Sequence, residues 1–465
     1  MKKKVYSAVG LAHIQLDGIL ERHRRQAAVV GIDVGKLSAF VVVRWGGDDF
    51  ERPWVVNNPR QVQDLAAVLV QLKSNGPMQV AMESTGTYGD ALRQALSDAA
   101  IELHLVSGKR AHDYAEVFDG VPSQHDGKDA AVVAELCALG KSMPWSIAKQ
   151  TDAEQQIGLL VDQMQAALRI KIQWLGRLEA LVARHWPEAC SGLKLGGGTM
   201  LRALSGYGGP QAIAADEQAR QQLLSWGHGK VSAARVDEII ASARATQGMS
   251  QSAVDVQRVK WCAAEALARR LELRQYRRQL QQLGEEHPVI KLQGKVIGVA
   301  SAGVLWRHLG DPRRYHCAGA YRKAMGLNLI ERSSGMHQGE LKISKRGPGP
   351  VRRTLHLASL RLIQDQKKVQ RWYQRKLKIR NTGKQAVIMA LSRKLALALW
   401  SIVHHQQPFD IDRLLGRPLQ ANRKLETRQS SAGQKRNASE QSNTARGGQL
   451  QRQSRRKGKP MTAGT

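Results

Sequence analysis

The stretch AAVVGIDVGKLSAFVVVRWG, residues 27–46, decides the fold. VVGID is a short apolar run that ends in an acid, Gly35 interrupts it, and SAFVVVRW resumes with β-branched residues. Apolar runs of this length on either side of a glycine predict two strands of a buried hairpin. The first strand is expected to end at Asp33, so a carboxylate is predicted at the edge of a sheet.

Helix and strand patterns alternate after this hairpin. Residues 60–75 have the spacing of an amphipathic helix, and MQVAMES is an apolar strand that runs into Glu83. TYGDALRQALSDA then predicts a helix, and IELHLVS predicts a third buried strand. Alternation of this kind predicts an α/β domain with a mixed sheet over 27–150, preceded by an N-terminal extension at 1–26.

From residue 151 the pattern becomes helical. Residues 151–186 and 252–287 each carry apolar side chains at helical spacing for more than thirty residues, and Thr151 with Glu154 makes a capping box. Residues 191–210 are rich in glycine and are expected to be irregular, within an insertion at about 190–250. We therefore predict an antiparallel helical arm or coiled coil over 151–287, which either dimerises the chain or packs as a layer on its core.

Two further segments follow the helical arm. Residues 288–415 have short helical patterns, glycine turns and the basic loop KISKRGPGPVRR, which indicates a compact, mainly α domain. From 417 to 465 there are 12 Lys and Arg against 2 Glu and no aromatic residue. Such a composition cannot bury a core, so residues 416–465 are expected to form a disordered basic tail that adds salt-sensitive affinity for phosphates.

The overall composition indicates a nucleic-acid partner. The net charge is +32 and the pI about 10.4, which favours a polyanion. Four cysteines lie far apart without a CxxC pair, which is typical of a reducing compartment and argues against a zinc ribbon or disulfide scaffold. With no run of about 18 apolar residues, no membrane span is expected.

The acids of the first domain form the most informative pattern. Asp33 and Glu83 end strands, and QHDGKDAAVVAEL, residues 124–136, places Asp126 and Asp129 on one face of a helix start. Carboxylates brought together there would repel one another unless a divalent cation, Mg²⁺ or Mn²⁺, lay between them. Each acid also has a structural alternative: Asp33 caps a turn, Asp126 favours the helix dipole, and Asp129 pairs with Lys128 or a nearby arginine.

These segments resemble one known family. GIDVGK, MESTGTYGDAL and DGKDAAVVAEL are similar to the three motifs of the DEDD transposases of bacterial insertion sequences. The resemblance spans about 27–415, without the insertion. It implies a RuvC-like N-terminal domain of the RNase H fold, in which the metal ligands of the active site are Asp33, Glu83, Asp126 and Asp129.

A serine segment lies in the C-terminal domain. IERSSGMHQGELKISKRGPGPVRR, residues 330–353, holds a Ser-Gly pair among basic residues, which by itself indicates only a turn beside a phosphate-binding surface. The same family carries Ser-Gly followed by a basic Ser-Lys loop, and this resemblance implies that Ser334 is the nucleophile, with Ser333 as the alternative. We expect nucleic-acid phosphates to contact Arg332, Lys342, Lys345, Arg346, Arg352 and Arg353.

The function implied by the resemblance is that of an insertion-sequence transposase that cleaves and rejoins DNA through a phosphoserine intermediate. The resemblance further implies a composite site in a homo-oligomer, dimer or tetramer, and a structured guide RNA, as in the bridge-RNA-guided recombinases related to pilin-gene invertases. Such a protein is expected in the bacterial cytoplasm, on the nucleoid. Two alternatives stay open: a metal-dependent, junction-resolvase-like endonuclease in which Ser334 only contacts phosphate, and a non-enzymatic nucleic-acid-binding protein.

Overall fold

The structure, a computed structural model, describes residues 7–416 apart from 48, 85, 122–124, 146–149, 332–338, 340 and 381–382. The chain divides into two compact units, Met1–Gln150 and Thr151–Thr465. The basic tail predicted for 416–465 lies outside the described residues from 417 onward. The finer division of the second unit into an arm and a serine-bearing domain stays a prediction.

The first unit is an α/β domain. Its elements in chain order are β1 (Val9–Gly10), α1 (Leu16–Arg22), β2 (Ala28–Val34), β3 (Ser38–Arg44), β4 (Trp54–Asn57), α2 (Val62–Asn75), β5 (Met78–Glu83), α3 (Asp90–Asp98), β6 (Leu103–Val106), α4 (Gly108–Asp119), α5 (Asp126–Ala138) and β7 (Met143–Pro144). The predicted hairpin, helices and buried strands of 27–107 are confirmed, and the sequence patterns missed β4, α4 and the short outer strands.

The strands that the structure describes in this unit form one mixed sheet in the order β1-β4-β3-β2-β5-β6-β7. The central strand β2 is antiparallel to β3 and parallel to β5, and β5 is parallel to β6. Three antiparallel strands, β4-β3-β2, continued by two strands parallel to β2, are the strand arrangement of the RNase H fold. The predicted RuvC-like fold class is confirmed.

Helix α5 lies directly against the backbone of β2. A Cβ atom at Gly31 would lie 2.1 Å from the carbonyl oxygen of Ala130 and 2.4 Å from the amide nitrogen of Ala134. These distances are far below van der Waals contact, so glycine at position 31 is what allows the helix to approach the strand so closely. On the other face of β2, Val30 and Ile32 are fully buried in the main core. The contact at Gly31 sets the distance between the acid on β2 and the acids on α5.

The second unit is mainly helical. Its elements are α6 (Asp152–His185), α7 (Pro187–Ser191), α8 (Gly198–Tyr207), α9 (Pro210–Ala215), α10 (Ala219–Gly227), α11 (Ala233–Arg244), α12 (Ala253–Glu286), α13 (Pro288–Ile297), α14 (Val299–Leu309), α15 (Ala318–Ala324), β8 (Leu329–Ile330), β9 (Lys342–Ile343), α16 (Gly349–Asp365), α17 (Lys367–Arg380), α18 (Lys384–His404) and α19 (Ile411–Leu415).

The long helices α6 and α12 pack together in antiparallel orientation. Ile157, near the start of α6, shares a core with Leu280, near the end of α12, whereas Val182 shares another core with Val259. The predicted capping box at Thr151 is present, with Glu154 N donating to Thr151 Oγ1 at 3.2 Å. Each end of the helix pair is built into a core of the same unit, as the packing alternative predicted. Dimerisation through the pair stays a prediction.

The insertion has its own helical core, and one prediction about it was wrong. Residues 191–210 were expected to be irregular, but α8 occupies Gly198–Tyr207. The glycines mark the ends of this helix and its packing: Gly208, at φ +82°, ends it in the left-handed conformation, and Gly206 lies against the ring of Trp226. Glycine content alone therefore could not separate a loop from a short, closely packed helix.

Helix α18 is apolar enough and long enough to cross a membrane by length and composition alone, but half of its most apolar window is buried inside the unit. Leu391, Leu395 and Leu399 are fully buried, and Ser392 Oγ lies 2.9 Å from Ser359 Oγ of α16. Arg393 and Lys394 sit mid-helix and donate to backbone carbonyls of the same unit. These features are those of a core helix.

Candidate active site

Two neighbouring parallel strands place the first pair of acids. Ile32 of β2 is the register partner of Met82 of β5, so the next residues along, Asp33 and Glu83, lie side by side at the same edge of the sheet. Both side chains are half-buried. The positions follow from the local sequence, because each acid ends an apolar run that pairs within the sheet.

Helix α5 supplies the second pair. Asp126 and Asp129 both fall in its first turn, and Asp129 N donates to His125 O at 2.9 Å. Carboxylate oxygens of Asp33, Asp126 and Asp129 all lie within 4.8 Å of one another. Glu83 stands outside this group of three but is near enough for its charge to act on Asp33. The structure thus brings the four predicted acids to one place.

The acids perturb one another electrostatically. Burial, and then the charges of Asp129, Asp126 and Glu83, raise the pKa of Asp33 to about 6. Burial and the charge of Asp129 raise the pKa of Glu83. Burial and the charge of Asp126 raise the pKa of Asp129, against smaller opposing effects of Lys128 and His125. The cluster holds excess negative charge that a cation would neutralise.

One structural alternative paired Asp129 with Lys128, but Lys128 forms its ion pair with Asp119 instead. Its side chain is buried, and Nζ donates to Asp119 Oδ1 at 2.7 Å and to the carbonyl of Val121. Across the residues that the structure describes, no Lys or Arg forms an ion pair with any of the four acids. Lys128 therefore fastens the first turn of α5 to the end of α4, and the acids stay available for another cation.

The predicted basic residues of the second unit lie around the segment 342–353. Lys342 is in β9, exposed Lys345 and Arg346 follow it, and Arg353 is exposed on α16. Arg352 donates to the carbonyl of Gly347, so one of these side chains stabilises the turn itself. The stretch expected to be one loop is thus divided between β9, a tight turn and the first turn of α16, because a helix begins at Gly349 with Pro348 as its N-cap. Ser334, Ser333 and Arg332 lie outside the described residues.

Comparison with known families identifies the chain. Residues 30–187 match the family model of the IS110-type DEDD transposases, described as "Transposase". Residues 292–374 match the model described as "Transposase IS116/IS110/IS902 family". The two matches cover both units and together just over half of the chain. The chain belongs to the IS110-type DEDD transposases. It is accordingly a DNA-cleaving and DNA-recombining enzyme.

Two further comparisons add little to this identification. Among solved structures, T. thermophilus RuvC in complex with a Holliday junction substrate is similar at 16% identity, over 26% of the transposase and 99% of that chain, with a TM-score of 0.20. At this score the strand order, rather than the superposition, identifies the fold. No curated protein matches the transposase.

The acidic cluster of the transposase fits a divalent cation. An ion with oxygen ligands at about 2.1 Å spans at most about 4.2 Å between opposite ligands. The three oxygens that lie within 4.8 Å need only small side-chain rotations to reach this spacing. Burial and the neighbouring carboxylate charges raise the pKa values of Asp33 and Asp129, and an ion would offset the charge repulsion.

Sequence reasoning missed a basic face on α17. Lys367, Arg371, Arg375 and Lys378 are exposed and follow one another at intervals of four, four and three residues, which places them along one face of the helix. The opposite face buries Val369 and Trp372. The signal was present in KKVQRWYQRKLKIR as a 3.6-residue period of basic side chains, and it adds a candidate phosphate-binding surface to the transposase.

Substituting Gly108 by Ala is expected to weaken metal binding without removing a ligand. Gly108 begins α4, and a Cβ there would lie 2.1 Å from Glu83 Oε1, so the Glu83 carboxylate cannot keep its present position. Changing a residue that supports a metal ligand typically costs about 10–100-fold in metal affinity. Calorimetric titration with Mn²⁺ measures the change. Gly46→Ala is the matched control because nothing lies within 4 Å of its Cβ. Equal dissociation constants for the two variants would contradict the expectation.

The stability of the metal-free transposase is expected to depend on pH through Asp33. The pKa of Asp33 is about 6 in the folded chain and 3.8 as a free group, so between these values the folded state binds more protons than the unfolded state. The free energy of unfolding therefore falls as pH rises from about 4 to 6, relative to Asp33→Asn, and levels off above. Thermal denaturation of both proteins in EDTA measures this. Saturating Mg²⁺ should abolish this decrease in the free energy of unfolding. If the wild type and Asp33→Asn showed the same pH dependence of stability without metal, the expectation would be wrong.

Proposed function

We propose that this transposase cleaves and rejoins DNA at the ends of its own insertion sequence, using Mg²⁺ or Mn²⁺ held by Asp33, Glu83, Asp126 and Asp129. The observation that carries the proposal is the approach of three of these carboxylates to within 4.8 Å, with the charge of Glu83 beside them. Hard oxygen ligands of this kind prefer Mg²⁺ and Mn²⁺ to softer metals.

The acids have separate tasks in this mechanism. A divalent cation held by these four acids would polarise the scissile phosphodiester. Asp33, the acid with the pKa of about 6, must lose its proton to act as a ligand. Asp126 and Asp129 share one helical turn, so they present both carboxylates from a fixed backbone. Glu83 closes the cluster from the neighbouring strand.

We assign the nucleophile to Ser334. Its Oγ attacks phosphorus and loses its proton, the bond from phosphorus to one deoxyribose oxygen breaks, and that oxygen leaves as a hydroxyl. The resulting phosphoserine ester conserves the energy of the broken phosphodiester bond. A second DNA hydroxyl then attacks the phosphorus and displaces the serine oxygen, which regains its proton, and the strand is rejoined. The assignment is supported by the family resemblance of the Ser-Gly segment and by the exposed Lys345, Arg346 and Arg353 in the same unit.

The acids belong to the first unit and the serine segment to the second, so a complete site requires both. We propose that a homo-oligomer, dimer or tetramer, assembles it, with α6 and α12 as the joining elements. A structured guide RNA is proposed from the family resemblance and is compatible with the net charge of +32. The proposed location is the bacterial cytoplasm, on the nucleoid.

The test is an assay of the full chain with DNA that carries the ends of its element, with and without RNA transcribed from the flanking non-coding region. We expect strand cleavage and rejoining in Mg²⁺ or Mn²⁺ and none in EDTA. Cleavage without rejoining and without a protein–DNA adduct would instead indicate an endonuclease of the junction-resolvase kind. Binding without cleavage under every metal condition would indicate a non-enzymatic protein.

A further inference from the structure

Four helices of the second unit enclose a cleft of about 540 Å³, far along the chain from the acidic cluster. Its walls come from α6, α12, α14 and α16. The volume lies within the range of about 300–1,000 Å³ that small-molecule and cofactor pockets occupy. The cleft is therefore large enough to receive a ligand of the size of a nucleotide.

The rim of the cleft is strongly basic. Arg169 of α6, Arg277 of α12, and Arg353 and Arg361 of α16 line it, and no Asp or Glu is among its described lining residues. No ion pair or hydrogen bond joins these guanidinium groups to any other residue in the described part of the chain. Arginines from three helices converge here without a counter-charge from the protein.

Neighbouring cations intensify this charge. Lys171, two residues after Arg169 on α6, has its pKa lowered by burial and by the charges of Arg270, Arg277 and Arg353. Mutual repulsion of this kind destabilises the helical assembly unless an anion compensates it. The planar, multiply donating guanidinium group is best matched by a phosphate or a carboxylate.

The interior of the cleft is apolar and also has backbone donors. Leu168, Leu273, Val304 and Leu357 form its walls, and Leu357 is 51% exposed. The first residues of α14 and α16 also line it, where helical N–H groups have no intrahelical acceptor. A free inorganic anion would leave the apolar wall uncovered, so the ligand that fits best joins an apolar group to an anionic one.

We propose that this cleft binds an unpaired nucleotide of the nucleic acid that the transposase acts on, with its phosphates on the rim arginines and its sugar and base against the apolar wall. Paired bases are stacked inside a duplex and cannot reach such a wall, whereas unpaired bases present their faces to apolar side chains. The proposal rests on nucleic acid being the partner of the enzyme, and it is independent of the metal and of Ser334. DNA and RNA both supply this chemistry.

The experiment compares Arg277→Glu with Arg278→Glu in the full chain. The two residues are adjacent on α12, both are exposed, and only Arg277 lines the cleft. Binding is measured by fluorescence anisotropy in EDTA with four probes: a 20-nucleotide DNA strand, the same sequence as RNA, the matched DNA duplex, and poly-glutamate. We expect Arg277→Glu to weaken binding of at least one single strand about tenfold or more relative to Arg278→Glu, and to lower the salt dependence by about one counterion.

A second variant tests the apolar wall. Leu357→Asp alters a half-exposed side chain, so the fold should persist, which the melting temperature verifies. It should weaken single-strand binding severalfold and leave duplex binding within twofold. The single strand with the larger loss identifies DNA or RNA as the source of the nucleotide.

Equal losses for Arg277→Glu and Arg278→Glu would overturn the proposal, as would a loss confined to poly-glutamate, which would assign the cleft to an acidic protein. Because EDTA removes the metal, neither result bears on cleavage. Conversely, if DNA cleavage proved independent of the acidic cluster, the proposed function would fail while the binding comparison would still decide the role of the cleft.

Discussion

Replacing Asp129 by Asn is expected to reduce DNA cleavage by the transposase at least about 10³-fold while DNA binding changes less than about threefold. Asp129 lies within 4.8 Å of Asp33 and Asp126, and its charge acts on both Asp33 and Glu83. Asparagine retains the shape but removes a charged ligand, so a cation that polarises the phosphodiester is held weakly and misplaced. Cleavage is measured on element-end DNA in Mg²⁺, and binding in Ca²⁺ or EDTA.

Asp64→Asn is the matched control for this variant. Asp64 is an exposed acid in the first turn of α2, in the same unit and outside the cluster. It undergoes the same chemical change and should retain full cleavage. Asp126→Asn should resemble Asp129→Asn. If both cluster variants left cleavage and activity in cells unchanged, the acids would be structural and the non-enzymatic alternative would be favoured.

Replacing Ser334 by Ala is expected to abolish both the covalent protein–DNA adduct and strand transfer, by at least about 10³-fold, because no hydroxyl remains to form the phosphoserine ester. The adduct is trapped by denaturing the reaction, digested, and located by mass spectrometry. Ser333→Ala is the control, one residue away with the same loss of a hydroxyl. Alanine at 334 removes no charge, so DNA binding and metal affinity should be unaffected.

Other outcomes of this experiment are equally informative. An adduct that maps to Ser333 would move the nucleophile by one residue and keep the mechanism. Undiminished cleavage by Ser334→Ala, with no adduct in either protein, would mean that water attacks the phosphorus. The endonuclease alternative would then replace strand transfer.

Much of the first unit could be predicted because its signals are local. Apolar runs that end in Asp33 and Glu83 gave both the strands and the edge at which the acids meet, and the spacing of Asp126 and Asp129 gave their common helical face. The fold that the sequence predicted is the one the strand order shows. The environment of Lys128 was not predictable in this way, because its partner, Asp119, ends a helix that the sequence pattern did not reveal.

The second unit shows where local reasoning stops. A helix in glycine-rich residues 198–207 depends on Trp226 and on the ends set by glycines, and neither is visible in a short window. The cleft arginines are harder still. Arg169 and Arg361 are almost two hundred residues apart, and each alone is an ordinary charged residue on a helix surface. Only their convergence in three dimensions makes them a candidate site.

The contact of helix α5 with Gly31 has a consequence for the tolerance of the enzyme to change. One added methyl group at position 31 would overlap the helix backbone at 2.1 Å, so the helix would have to shift by about an ångström to restore normal separation. Asp126 and Asp129 would shift with the helix, whereas Asp33 and Glu83 on the strands would not. A small cation with a rigid octahedral coordination sphere does not accommodate such a displacement. Position 31 bears no functional group, yet it is expected to tolerate substitution as poorly as the carboxylates that it positions, because any side chain there would displace α5.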